Sequence, residues 1–233
     1  MHAWFAGSPD EIRSRRPSDA LKVIIGLLLF TWMGFNTERF IPFEDAIADL
    51  LRSTPEWFEH VYHGLYLLGL LWCVVILIAV LSQGTTRLGV LRDIGLAAVI
   101  AAVAVIIIHQ IVHDAWPELL PELTTIEGRY PLARIVLVAT IVTVTAPSFT
   151  KPIADLGWWI IGLTMVAAVG MEFALPFDTI GTLGLGIAAA GAALLIVGSP
   201  GGYPSREELI EDLTELGVPV ADLEAASVQP WDA

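Results

Sequence analysis

Two apolar runs joined by a connector too short to fold by itself constrain this chain most. Residues 155–198 read DLGWWIIGLTMVAAVGMEFALPFDTIGTLGLGIAAAGAALLIVG. Runs 156–175 and 179–197 are each long enough, at about 1.5 Å per residue, to cross the roughly 30 Å of a bilayer's hydrocarbon. The FALPFD connector between them makes the two helices antiparallel neighbours. Asp178 then opens the second helix, where an acid caps free backbone N–H groups and meets the positive end of the helix dipole. Within that helix Gly181, Gly184, Gly186, Ala190 and Gly191 admit close approach of another helix, with packing inside the bundle as the expectation and an oligomer as the alternative.

The rest of the chain agrees with a membrane solvent. Of its 233 residues 55% are hydrophobic and 16% charged, against about a quarter charged in a soluble domain. Six apolar runs, near 20–36, 61–81, 90–112, 132–146, 156–175 and 179–197, predict an all-α, polytopic bundle of six transmembrane helices. The fourth run is short and stops at Pro147, where proline ends a helix. FEDAIADLLR, in the loop after the first run, alternates apolar and acidic residues at helical spacing and predicts a short separate helix in the headgroup region.

Charge sets the orientation. With the N-terminus inside, Arg13, Arg15, Arg16, Lys22, Arg87, Arg92, Lys151 and Arg206 lie on the cytoplasmic side, and Arg39, Arg52, Arg129 and Arg134 on the other. The excess places both termini in the cytoplasm of a plasma (inner) membrane. Residues 1–19 form a cytoplasmic segment, 20–198 the transmembrane domain, and 199–233 a tail. In that tail Ser205 and Glu208 make a capping box and Leu209, Leu213 and Leu216 a short apolar face, so residues 203–217 are the candidate contact for a cytoplasmic partner. The formal charge of −13 argues against a nucleic-acid partner. Cys73 is a lone thiol within an apolar run.

With six helices and both ends inside, the LPFDTIGTLGLG connector resembles the last helix pair of the type-2 phosphatidic acid phosphatase family. Three motifs carry that family's chemistry on the outer side of its bundle. The first is a lysine, six residues, then arginine-proline; here those positions hold His109, Trp116 and Pro117. The second, proline-serine-glycine-histidine, is Pro131, Leu132, Ala133 and Arg134. The third is serine-arginine, five residues, a histidine, three residues, an aspartate. It maps onto Ala167, Ala168, Ala174 and Asp178.

The resemblance implies a histidine nucleophile at position 174, a histidine acid at 134 and a phosphate cradle, and this chain lacks those groups. Ala174 offers no nucleophile, and an arginine holds its proton at neutral pH. Losing a nucleophile alone costs about 10⁴–10⁶ in rate. The expectation is therefore a catalytically inactive phosphatase-like domain that binds a membrane lipid, of phospholipid or polyprenyl-phosphate type, or anchors a cytoplasmic partner. Arg134, Glu172, Asp178 and His113 are the candidate head-group residues. The tail resembles a linker found in large bacterial membrane proteins that also carry kinase-like and lysylphosphatidylglycerol synthase-like regions.

Two alternatives stay open: a rewired lipid phosphatase or transferase, and a small transporter. Against the transporter stands the lack of an internal repeat. His60, His63, His109 and His113 lie near the outer face with carboxylates, either as ligands of a divalent ion or as interfacial side chains hydrogen-bonded between helices. The spacing favours the second, and no cofactor or metal is expected.

Overall fold

The computed structural model describes residues 4–5, 13–55, 57–114, 116, 130–200, 210 and 213–214, with backbone alone for 34–41, 52 and 85–86. Six helices of this region follow in order: α1 (Pro17–Arg52), α2 (Trp57–Leu81), α3 (Leu88–His113), α4 (Ala133–Thr145), α5 (Lys151–Gly170) and α6 (Pro176–Val197). Single 3₁₀ turns precede α3 and follow α4. Among the described residues no strand forms, only two isolated bridges.

Four of these helices, α2, α3, α5 and α6, are long and apolar enough to cross a membrane. Their outward faces agree with that. Leu67, Leu71, Val74 and Ile78 on α2, and Val99, Val103 and Ile107 on α3, are exposed at helical spacing, as are Leu21, Ile24, Leu28 and Trp32 on α1. Apolar stripes of that extent belong to a surface whose solvent is lipid. The chain is a membrane-embedded helical protein.

The helix boundaries depart from the sequence reading in three places. The helix expected over FEDAIADLLR is not separate; α1 runs unbroken for 36 residues, through Pro42. Its distal half is held against the head of α6, where Phe43 lies 6.3 Å from Phe177 ring to ring and Ala48 is buried. Next, α5 starts at Lys151, earlier than the apolar run, because Pro152 suits a first helical turn. It also ends earlier, at Gly170, and Glu172 takes a left-handed φ of 64° in the turn that follows. The connector is thus 171–175, with Pro176 inside the first turn of α6.

Helix α4 explains the architecture. Its 13 residues rise only about 20 Å, and every one but Leu137 is buried. A helix apolar all round is a core helix, and α4 is enclosed by α2, α3, α5 and α6. Thr140 Oγ1 donates across to Gly186 O of α6 at 3.1 Å, and Thr145 Oγ1 donates within α4 to Ile141 O at 2.7 Å.

The second centre is α6, whose most extensive contact is with α1 and which also packs on α4 and α3. This is the use of its small residues. An added Cβ at Gly184 would sit 2.6 Å from Gly26 O, and one at Gly26 would sit 2.4 Å from Gly184 O. On the α4 side, a Cβ at Gly186 would lie 2.6 Å from that of Ala139 and 2.8 Å from Val136 O. Backbones touch at both places.

The segment entering α1 and the segment leaving α6 meet at one end of the bundle, here called basal. Ser14 and Ser199 exchange backbone hydrogen bonds of 3.3 and 2.9 Å. Arg13 Nη1 reaches both oxygens of buried Asp93 at the start of α3 (3.0 and 2.8 Å) and Gly198 O (3.3 Å). Phe5 stacks on Phe149 at 4.8 Å, with the Arg87 guanidinium 4.4 Å from its ring centroid. Of the tail, Ile210, Leu213 and Thr214 are helical; the capping box at Ser205 and Glu208 lies outside the described residues. Substituting Gly184→Ala is expected to destabilise the bundle by about 1–3 kcal/mol, the usual range for overpacking, whereas Gly162→Ala, in open space on α5, leaves the detergent melting temperature unchanged within error.

Candidate functional site

The end of the bundle opposite the basal end, here called distal, collects the polar residues. Its centre is Arg134 in the first turn of α4, 1% exposed. The guanidinium lies 4.1 Å from the ring centroid of Tyr66 on α2. That stack places a cation against the negative face of an aromatic ring out of water, where the attraction is worth about 2 kcal/mol. Tyr66 in turn belongs to a buried cluster with Tyr62, Leu132, Ile135, Ala167 and Ala168, against which Ala174 and Phe173 pack.

The residues at the second and third motif positions therefore lie at one end of the molecule, with small side chains where the third motif would place reactive ones. Ala168 is fully buried. Its neighbour Gly170 lies so close to Tyr62 that an added Cβ would meet the ring at 2.7 Å. Ala168 and Ala174 offer packing and no donor, acceptor or nucleophile.

The first motif position is His109, on the last turn but one of α3 and buried. Its ring centroid is 4.5 Å from that of His113, as the spacing of four predicts. His113 Nε2 donates to Tyr130 O at 2.7 Å, which ties the end of α3 to the segment entering α4. Gln110 Nε2 donates to Asp114 Oδ1 at 3.4 Å, and Asp114 ends the helix in a left-handed conformation. Trp116 is exposed; Pro117 lies outside the described residues, and Pro131 is buried.

The head of α6 is capped from two sides. Asp178 Oδ2 accepts from Leu175 N at 3.3 Å, the capping role that its position suggests. Glu44, from the distal half of α1, accepts from Phe177 N at 2.9 Å through Oε1. Pro176 has no N–H to satisfy. Burial raises the Glu44 carboxyl above the usual range and the Phe177 hydrogen bond opposes that, while the charges of Asp178 and Asp45 add to the rise. Burial, then the charge of Asp178, likewise push the Tyr130 hydroxyl up.

The candidate histidines on α2 lie apart from the pair on α3. His63 Nδ1 donates to Glu59 O within α2, at 2.8 Å, and His60 is exposed on the same helix. Among the described residues no group of three or more His, Cys, Asp or Glu side chains gathers as ligands. The Glu172 backbone N–H donates to Val169 O at 3.0 Å in the turn closing α5.

Sequence reasoning missed Tyr66 and Glu44. Tyr62 and Tyr66 are four apart and share a face, which is the signal for an inward aromatic stripe on α2. Glu44 carries no such signal, because its partner is a backbone N–H distant in sequence. No family model matches the chain, and neither a curated protein nor a solved structure shows significant similarity to it.

Tyr66→Leu is expected to cost about 2 kcal/mol. Combined with Arg134→Met the loss is less than additive, which a double-mutant cycle of thermal unfolding in detergent would register.

Proposed function

We propose that this chain is a six-span protein of the plasma (inner) membrane, with both ends cytoplasmic, whose phosphatase-like scaffold binds an anionic lipid head group without hydrolysing it. The observation that carries the reading is the buried Arg134 at the head of the enclosed helix α4. A fully buried cation is retained where it has a task, since burying it is costly. Stacking on Tyr66 engages the face of the guanidinium, and its in-plane N–H groups suit the oxygens of a phosphate. His113 and Asp178 flank the same end of the bundle, with Glu172 in the turn before α6.

Six spans follow from adding α1 and α4 to the four long apolar helices. A helix of 13 residues serves inside the membrane when protein covers it, because its end groups then need not reach water. The pairing of Ser14 with Ser199 supports both ends lying on one side, and Arg13, Arg15, Arg16, Arg87, Arg92 and Lys151 concentrate near that pairing, as a cytoplasmic face would require. A partner held through residues 203–217 would dock there.

The alanines at 168 and 174 support loss of phosphoryl transfer. The paired rings of His109 and His113 favour one competing reading, a rewired lipid phosphatase or transferase.

Native mass spectrometry of protein extracted gently from its own membrane tests the first reading. A stoichiometric phospholipid or polyprenyl-phosphate adduct is expected, kept in Arg134→Lys and lost in Arg134→Glu. Equal occupancy in Arg134→Glu would sink it. Phosphate release from lipid phosphates is expected at background; release abolished by His109→Ala or His113→Ala would establish the enzyme instead.

A further inference from the structure

Glu44 is a carboxyl buried at the distal end of the α1–α6 junction. It is 0% exposed, and although Oε1 accepts from Phe177 N, Oε2 has no hydrogen-bond partner. Among the described residues its charged neighbours are acids. Asp178 approaches from α6 and Asp45 from its own helix. The Tyr130 hydroxyl, from the segment entering α4, lies near Asp178 and is also buried without a partner. Helix α5, which α1 touches as well, has its ionisable residues Lys151 and Asp155 in its first turns, at the basal end; the turn before α6 adds one more acid, Glu172.

An ionised carboxylate removed from water with no counter-charge is unfavourable enough that the group neutralises instead. A second carboxylate nearby pushes the same way. The dipole of α6 and one N–H bond favour the charged form, but they leave half the carboxylate unsatisfied.

We propose that Glu44 holds a proton at neutral pH, and that this neutral carboxyl latches the distal half of α1 to the head of α6. Ionisation sets two like charges side by side at the junction, and residues 42–52 come away from α6 as the pH on that side rises. The direction of the shift at Glu44 agrees. A carboxyl raised on folding contributes stability that is complete below its unfolded value, about 4.3, and is lost as the pH climbs through its folded value. The latch is independent of whether Arg134 binds a lipid.

Infrared difference spectroscopy of the full chain in lipid nanodiscs decides it. At neutral pH the wild type is expected to show a protonated-carboxyl C=O band that is missing in Glu44→Gln, persists in Asp178→Asn, and disappears on titration to alkaline pH. Glutamine keeps an oxygen for Phe177 N–H, so the cap survives the substitution. Absence of the band from the wild type, its persistence in Glu44→Gln, or its loss in Asp178→Asn alone overturns the proposal. The thermal melting of the wild type gives a readout free of any variant: melting that falls from mildly acid to alkaline pH is expected, and a flat or rising profile also overturns it.

Discussion

Contact between backbones along α6 is the constraint from which the rest of the bundle follows. In lipid there is no hydrophobic gain from bringing helices together, so association rests on dispersion and on polar contacts that need close approach. Gly184 facing Gly26, and Gly186 facing Ala139, supply that approach on two sides of one helix. With α1 and α4 fixed against α6, α3 covers one flank of α4, and α2 with α5 covers the other. The enclosure of α4 is thus a consequence of where α6 lacks side chains.

Enclosure is also what makes the distal end chemically unusual. Arg134 stands one residue inside the most sheltered of the described helices, and the aromatic face of Tyr66 stabilises it where water is scarce. The cluster that Tyr66 belongs to combines large side chains, Tyr62, Leu132 and Ile135, with the short Ala167 and Ala168. At the same end the rings of His109 and His113 pair on α3, and Asp178 caps the head of α6.

Much of the architecture was legible from hydropathy alone, because long apolar runs have few solutions in a membrane. The glycine-rich face of 179–197 foretold close packing, and the spacing of His109 and His113 foretold their contact. What escaped were features set by distant pairs. The continuity of α1 through Pro42 depends on Glu44 and Phe43 meeting the head of α6, over 130 residues away. The shift of α5 by several residues arose because apolar content marks lipid depth, whereas Pro152 and the left-handed Glu172 mark where the helix begins and ends. Arg134 was legible as a candidate, but its stacking on Tyr66 required knowing that α2 and α4 are neighbours.

The pairing of Ser14 with Ser199 has a bearing on how the protein is made. Arg13 has to find Asp93 and Gly198 at once, so the segment ahead of α1 cannot settle while the ribosome is still producing α6. Residues 13 and 14 therefore take up their contacts only once the start of α3 and the end of α6 stand side by side.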